Sequence, residues 1–95
     1  MDTDITEIAG ILKHPRRLQI LMIIVNNPQI TAKEILEKIP IKVPQYLYSD
    51  IDELKNKNLI TRTFSEEKGV LTYRANITGL IIDFKTMTME EIKDE

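Results

Sequence analysis

Apolar positions along this chain follow a helical period in the first half and an extended period after it. In residues 4–12, Ile5, Ile8, Ala9 and Leu12 recur at i, i+3, i+4 and i+7, which is one face of a helix. Pro15 suits the first turn of the next helix, where its missing N–H is no loss. In that helix Leu18, Leu21, Met22 and Val25 make the main stripe, and Ile20, Ile23 and Ile24 add apolar surface on the other sides. A helix apolar nearly all round must be covered nearly all round. Asn26-Asn27-Pro28 predicts its end. Thr31-x-x-Glu34 is a capping-box pattern ahead of Ile35, Leu36 and Ile39. Pro40 and Pro44 bracket a turn. A further helix is expected over about residues 43–58, with Val43, Leu47, Ile51 and Leu54 on one face and Gln45, Tyr46, Ser49, Asp50 and Glu53 opposite.

The period then shortens. Residues 60–65 and 70–75 are rich in Thr, Val, Tyr and Phe, and a four-residue loop ending in Gly69 separates them. This predicts a β-hairpin with positive φ at Gly69. One face would carry Ile60, Phe64, Leu71 and Tyr73, the other Thr61, Thr63, Thr72 and Arg74. Residues 77–84 suit either a strand or a helix. Thr88-x-x-Glu91 is a second capping box, which predicts a short closing helix.

Helix, tight break, second helix and hairpin, in that order, spell an α+β winged helix-turn-helix domain. The expected organisation is one domain over residues 1–95: helix-turn-helix about 31–58, hairpin wing about 59–76 and a C-terminal dimerisation segment about 77–95. A second helix held in front of a hairpin suits entry into a DNA groove. The chain has 95 residues and is 42% hydrophobic, enough for one small core but thin enough that oligomerisation is a plausible supplement. It has no cysteine, which excludes disulfides and thiolate metal sites, and His14 is the only histidine, which excludes a multi-His site within one chain. Neither a metal nor a cofactor is expected. The acidic start (Asp2, Asp4, Glu7) lacks a basic n-region, so no signal peptide is expected. The apolar run over residues 20–25 is too short to cross a bilayer, and a cytoplasmic location is expected.

Net charge is −2, but its distribution matters more. Residues 13–62 carry nine Lys/Arg against five acids, a balance of +4, and each flanking segment sums to −3. The basic excess therefore lies in the middle of the chain, residues 13–62, as a DNA-facing middle requires.

Several stretches resemble the ArsR-type winged-helix regulators. His14-Pro15-Arg16-Arg17-Leu18-Gln19-Ile20-Leu21 is similar to that family's Asp/His-Pro-x-Arg-Leu-x-Ile-Leu opening. Thr31-Ala32-Lys33-Glu34-Ile35 is similar to its T-A-x-E-L helix, and residues 47–60 to its recognition helix and exit. Leu71-Thr72-Tyr73-Arg74-Ala75 is similar to its second wing strand. The resemblance covers roughly residues 13–76. It implies a dimeric, DNA-binding transcription regulator paired through terminal helices. Metal-sensing cysteines and histidines of the family are missing, so that role is dropped. Asp50, Asp52 and Glu53 on the recognition helix, and Glu66 and Glu67 at the wing tip, depart from the family and weaken phosphate attraction.

The residues expected to touch double-stranded DNA are Lys33, Lys42, Gln45, Tyr46, Ser49, Arg62, Lys68 and Arg74. Gln reads adenine in a bidentate way, and Ser bonds base edges or phosphate. Arg17 is expected in a structural ion pair, Asp50 in a solvated or intrahelical pair with Lys55 or Lys57, and Tyr48 near the core boundary with its hydroxyl wet. A homodimer is expected through Ile5, Ile8 and Leu12 in front and Leu80, Ile81 and Phe84 behind. No enzyme is expected, because the neighbouring acids lie on a charged helix surface rather than in a cleft. The competing class is a winged helix used for protein contact within a transcription or replication assembly.

Overall fold

Local signals start and stop each helix in the computed structural model, which describes residues 10, 13–83, 85–86 and 88–93, with only the backbone of 82, 88 and 89. The helix expected over residues 4–12 lies outside them, Gly10 apart. Helix α1 (Pro15–Asn26) begins at its proline. At its end the Asn26 and Asn27 amides donate back to the carbonyls of Met22 and Ile23, both at 2.8 Å, and so tie these side chains to the last turn. Gln29, at φ 65°, turns the chain into a two-residue strand β1 (Ile30–Thr31). The Thr31 capping box is fully formed at the head of α2 (Ala32–Lys38). Glu34 N–H donates to Thr31 Oγ1 at 3.2 Å, and Thr31 N–H donates to Glu34 Oε1 at 3.1 Å.

Helix α3 (Pro44–Asn56) follows the proline-bracketed turn. It ends in a Schellman motif. Asn58 takes the left-handed conformation (φ 61°), Leu59 N–H reaches Leu54 carbonyl at 3.0 Å, and Asn58 N–H reaches Lys55 carbonyl at 3.0 Å. Leu54 and Leu59 are both buried, the apolar contact that accompanies this motif. Strands β2 (Ile60–Ser65) and β3 (Val70–Ala75) then form the expected hairpin in full register, from Ile60 opposite Ala75 to Ser65 opposite Val70. Its turn has Gly69 at φ 71°, with Gly69 N–H donating to Ser65 carbonyl at 2.7 Å.

The pairing of β1 with β3 was not legible in the sequence. It makes a three-stranded antiparallel sheet in the order β1-β3-β2, with Ile30 opposite Tyr73. The closing helix expected at Thr88 does not form. Strand β4 (Gly79–Asp83) instead pairs antiparallel with β5 (Thr88–Ile92) as a second hairpin. Five residues with no apolar stripe hold a helix weakly, and strand pairing supplies their backbone with partners. The fold is therefore a small α+β domain: over residues 13–93 the described residues form three helices, then antiparallel strands ending in a hairpin.

One core joins these elements. Ile20, Leu21 and Ile24 of α1 meet Ile35 and Ile39, Leu47, Ile51 and Leu54 of α3, and Ile30, Leu59, Ile60, Tyr73 and Ile77. The α1 stripe is rotated from the expected one, for Met22 is 55% exposed while Ile20 and Ile24 are buried. On α3 the expected stripe holds, with Val43 half-buried as the N-cap. Full burial of each such side chain stabilises by roughly 1.5–3 kcal/mol. No helix among the described residues is long and apolar enough to cross a membrane.

Candidate nucleic-acid interface

The amino-terminal half of α3 exposes uncharged polar and aromatic side chains near the hairpin. Pro44 opens it, its N-cap Val43 gives no side-chain cap, and the Tyr46 N–H turns back to the Val43 carbonyl at 2.9 Å. Gln45, Tyr46 and Ser49 are all exposed, as expected, and so are Lys42 in the preceding turn and Lys33 on α2. This end carries the positive pole of the helix dipole.

Asp50 overturns its expected place. It is 2% exposed, and its partners are neither Lys55 nor Lys57. Its Oδ1 accepts from Arg17 Nε at 3.0 Å, and its Oδ2 accepts from Arg16 Nε. Both arginines come from the first turn of α1, so the pair joins α1 to α3 across more than thirty residues of sequence. Burial pushes the Asp50 carboxyl up, but the bonds from Arg16 and Arg17 outweigh it and hold the group below the usual carboxylate range. Arg17 thus makes the structural ion pair expected of it. Arg16, at 44% side-chain exposure, makes a further interaction: its guanidinium lies 5.3 Å from the centre of the Tyr46 ring. The sequence carried one signal for this network, two adjacent arginines at a helix start where the dipole disfavours them, but nothing local named their partner.

The hairpin separates the other residues expected to touch DNA. Register puts Arg62 opposite Tyr73 and Arg74 opposite Thr61, hence on opposite faces. Arg62 shares the face of Ile60, Phe64, Leu71 and Tyr73. Burial raises the Tyr73 phenol, and the Arg62 guanidinium pulls against that. Lys68, in the turn, is tied inward: Nζ donates to the Gln29 carbonyl at 2.9 Å and lies 3.7 Å from Glu34 Oε1. Two hydrogen bonds from Thr31 are the main reason the Glu34 carboxyl titrates low, with Lys68 adding to it.

Of the residues expected at a dimer interface, Ile5, Ile8, Leu12 and Phe84 lie outside the described residues. Leu80 is partly buried against the domain's own core, and Ile81 is 53% exposed. Among the described residues no three His, Cys, Asp or Glu side chains gather where a metal ion could sit. No known protein family, curated protein or solved structure matches this chain.

Proposed function

We propose that this chain is a winged helix-turn-helix transcription regulator that binds double-stranded DNA as a homodimer, works without metal or cofactor in the cytoplasm, and catalyses nothing. One observation carries the reading: Gln45, Tyr46 and Ser49 stand exposed at the amino end of α3, while the acid beside them, Asp50, is turned inward and neutralised. The expected objection to DNA binding, an acidic recognition helix, is thereby reduced by one of its three charges. Lys33 and Lys42 pair with phosphates around the polar face; Arg62 and Arg74 reach phosphates from opposite faces of the hairpin, and Lys68 does so only by leaving Gln29 and Glu34. Glu66 and Glu67 at the hairpin tip still oppose the backbone, so affinity is modest.

Fluorescence anisotropy against a duplex selected from random sequence tests this. Gln45→Ala with Ser49→Ala lowers affinity by about 1–3 kcal/mol for each base that the wild-type side chain reads through good hydrogen bonds. Both side chains are exposed, so the melting temperature stays put. An unchanged binding curve removes α3 from the interface. The acidic tip favours one second reading, protein contact within a larger assembly. No duplex binding at low salt, together with capture of a protein partner from lysate, favours it.

A further inference from the structure

Exposed large hydrophobics are not scattered evenly over the described surface. Four of them, Tyr48, Phe64, Val70 and Leu71, line one cleft of about 590 Å³ between α3, the head of α2 and the hairpin. Phe64 and Leu71 are cross-strand partners on the hairpin face whose base, Ile60 and Tyr73, is buried in the core. Arg62 lies on that face opposite Tyr73, and beyond this pair come two apolar side chains in water: Phe64 is 57% exposed and Leu71 43%. Apolar area kept in water marks a binding surface. The cleft wall also includes Lys33 and Lys68, and no carboxylate lines it among the described residues. The nearby Glu34 carboxylate is already held by Thr31 and Lys68.

Two exposed aromatic rings beside the Lys33 ammonium, with Lys68 already paired to Glu34, match flat, apolar-faced groups strung on an anionic backbone. Unpaired nucleobases have that chemistry, and stacking on aromatic side chains is how single strands are held without sequence readout. A perfect duplex offers no base faces, only edges, so the cleft has nothing to bind in it. We propose that the cleft captures unpaired bases next to the duplex held by α3, so that the preferred target is DNA with a locally opened strand. This rests on the duplex reading above, and it specifies the form of the target.

Anisotropy with three probes tests it: a perfect duplex, the same duplex carrying a central thymine bulge, and oligothymidylate. The bulged duplex should bind about fivefold or more tighter than the perfect one, the effect of one stacked base. Phe64→Leu and Tyr48→Leu keep apolar bulk and remove a ring. Each should abolish the preference and leave perfect-duplex affinity intact, while Tyr48→Phe retains it. Both positions are exposed, and a thermal melt of each variant confirms folding. Equal affinity for bulged and perfect duplex overturns the inference and leaves duplex binding standing. Preference that survives both ring removals overturns the cleft as its seat. Binding of no nucleic acid at all sinks the duplex reading with it. An acidic, leucine-rich peptide that binds when oligothymidylate does not would reassign the cleft to a protein partner.

Discussion

Replacing Asp50 by alanine strips the carboxylate from between Arg16 and Arg17 and should destabilise the domain by about 2–3 kcal/mol. The magnitude follows from exposure. Breaking a fully buried ion pair costs about 3–5 kcal/mol because the remaining charge stays uncompensated. Hydrogen bonds to a charged group are worth about 1.5–3 kcal/mol. Asp50 is 2% exposed, but the Arg17 side chain is 21% exposed and that of Arg16 44%, so both can partly rehydrate once released. The cost therefore falls below the fully buried figure. For a domain of this size it lowers the melting temperature by about 10–20 °C. Urea and thermal denaturation followed by circular dichroism measure it directly.

Titration supplies an independent arm. The Asp50 carboxyl titrates lower in the folded chain than in the unfolded one, where it sits near about 4. Its contribution is thus present above that pH and is lost as pH falls through the folded value. Asp50→Asn keeps the volume and one acceptor but cannot ionise, so it lacks this component. The stability gap between wild type and Asp50→Asn should be widest near neutrality and shrink below about pH 4. An Asp50→Ala variant within about 0.5 kcal/mol of wild type, the scatter of ordinary surface substitutions, would refute the buried-pair reasoning. So would a gap that stays constant on acidification.

Other substitutions probe the remaining elements. Thr31→Ala removes the cap from α2 and should cost about 1 kcal/mol in urea denaturation. Gly69→Ala meets nothing within 4 Å of its new Cβ, so its cost is backbone strain alone at φ 71°, about 1–2 kcal/mol, read as a lowered melting temperature. Sedimentation equilibrium at micromolar concentration should give twice the 11.0 kDa chain mass. Ile81, expected at the dimer interface, is 53% exposed, so Ile81→Asp should shift that equilibrium toward monomer.

What could be read from the sequence alone was whatever acts within a few residues. The Thr31–Glu34 cap, the Asn26-Asn27 stop, the Leu47/Ile51/Leu54 stripe and the 60–75 hairpin with its Gly69 turn all rest on interactions between near neighbours or on one period of the chain. The polar face at Gln45, Tyr46 and Ser49 follows from the same helical period. Tertiary structure decided the rest. Asp50 sits on the helix flank that a one-dimensional pattern assigns to solvent, and only the arrival of Arg16 and Arg17 from α1 offsets the cost of burying it. Strand β1 is too short to show a period, and it exists because β3 offers it an edge. The same holds at Thr88: a capping box is a local preference of about 1 kcal/mol, whereas a partner strand gives five residues their backbone bonds, so pairing with β4 prevails.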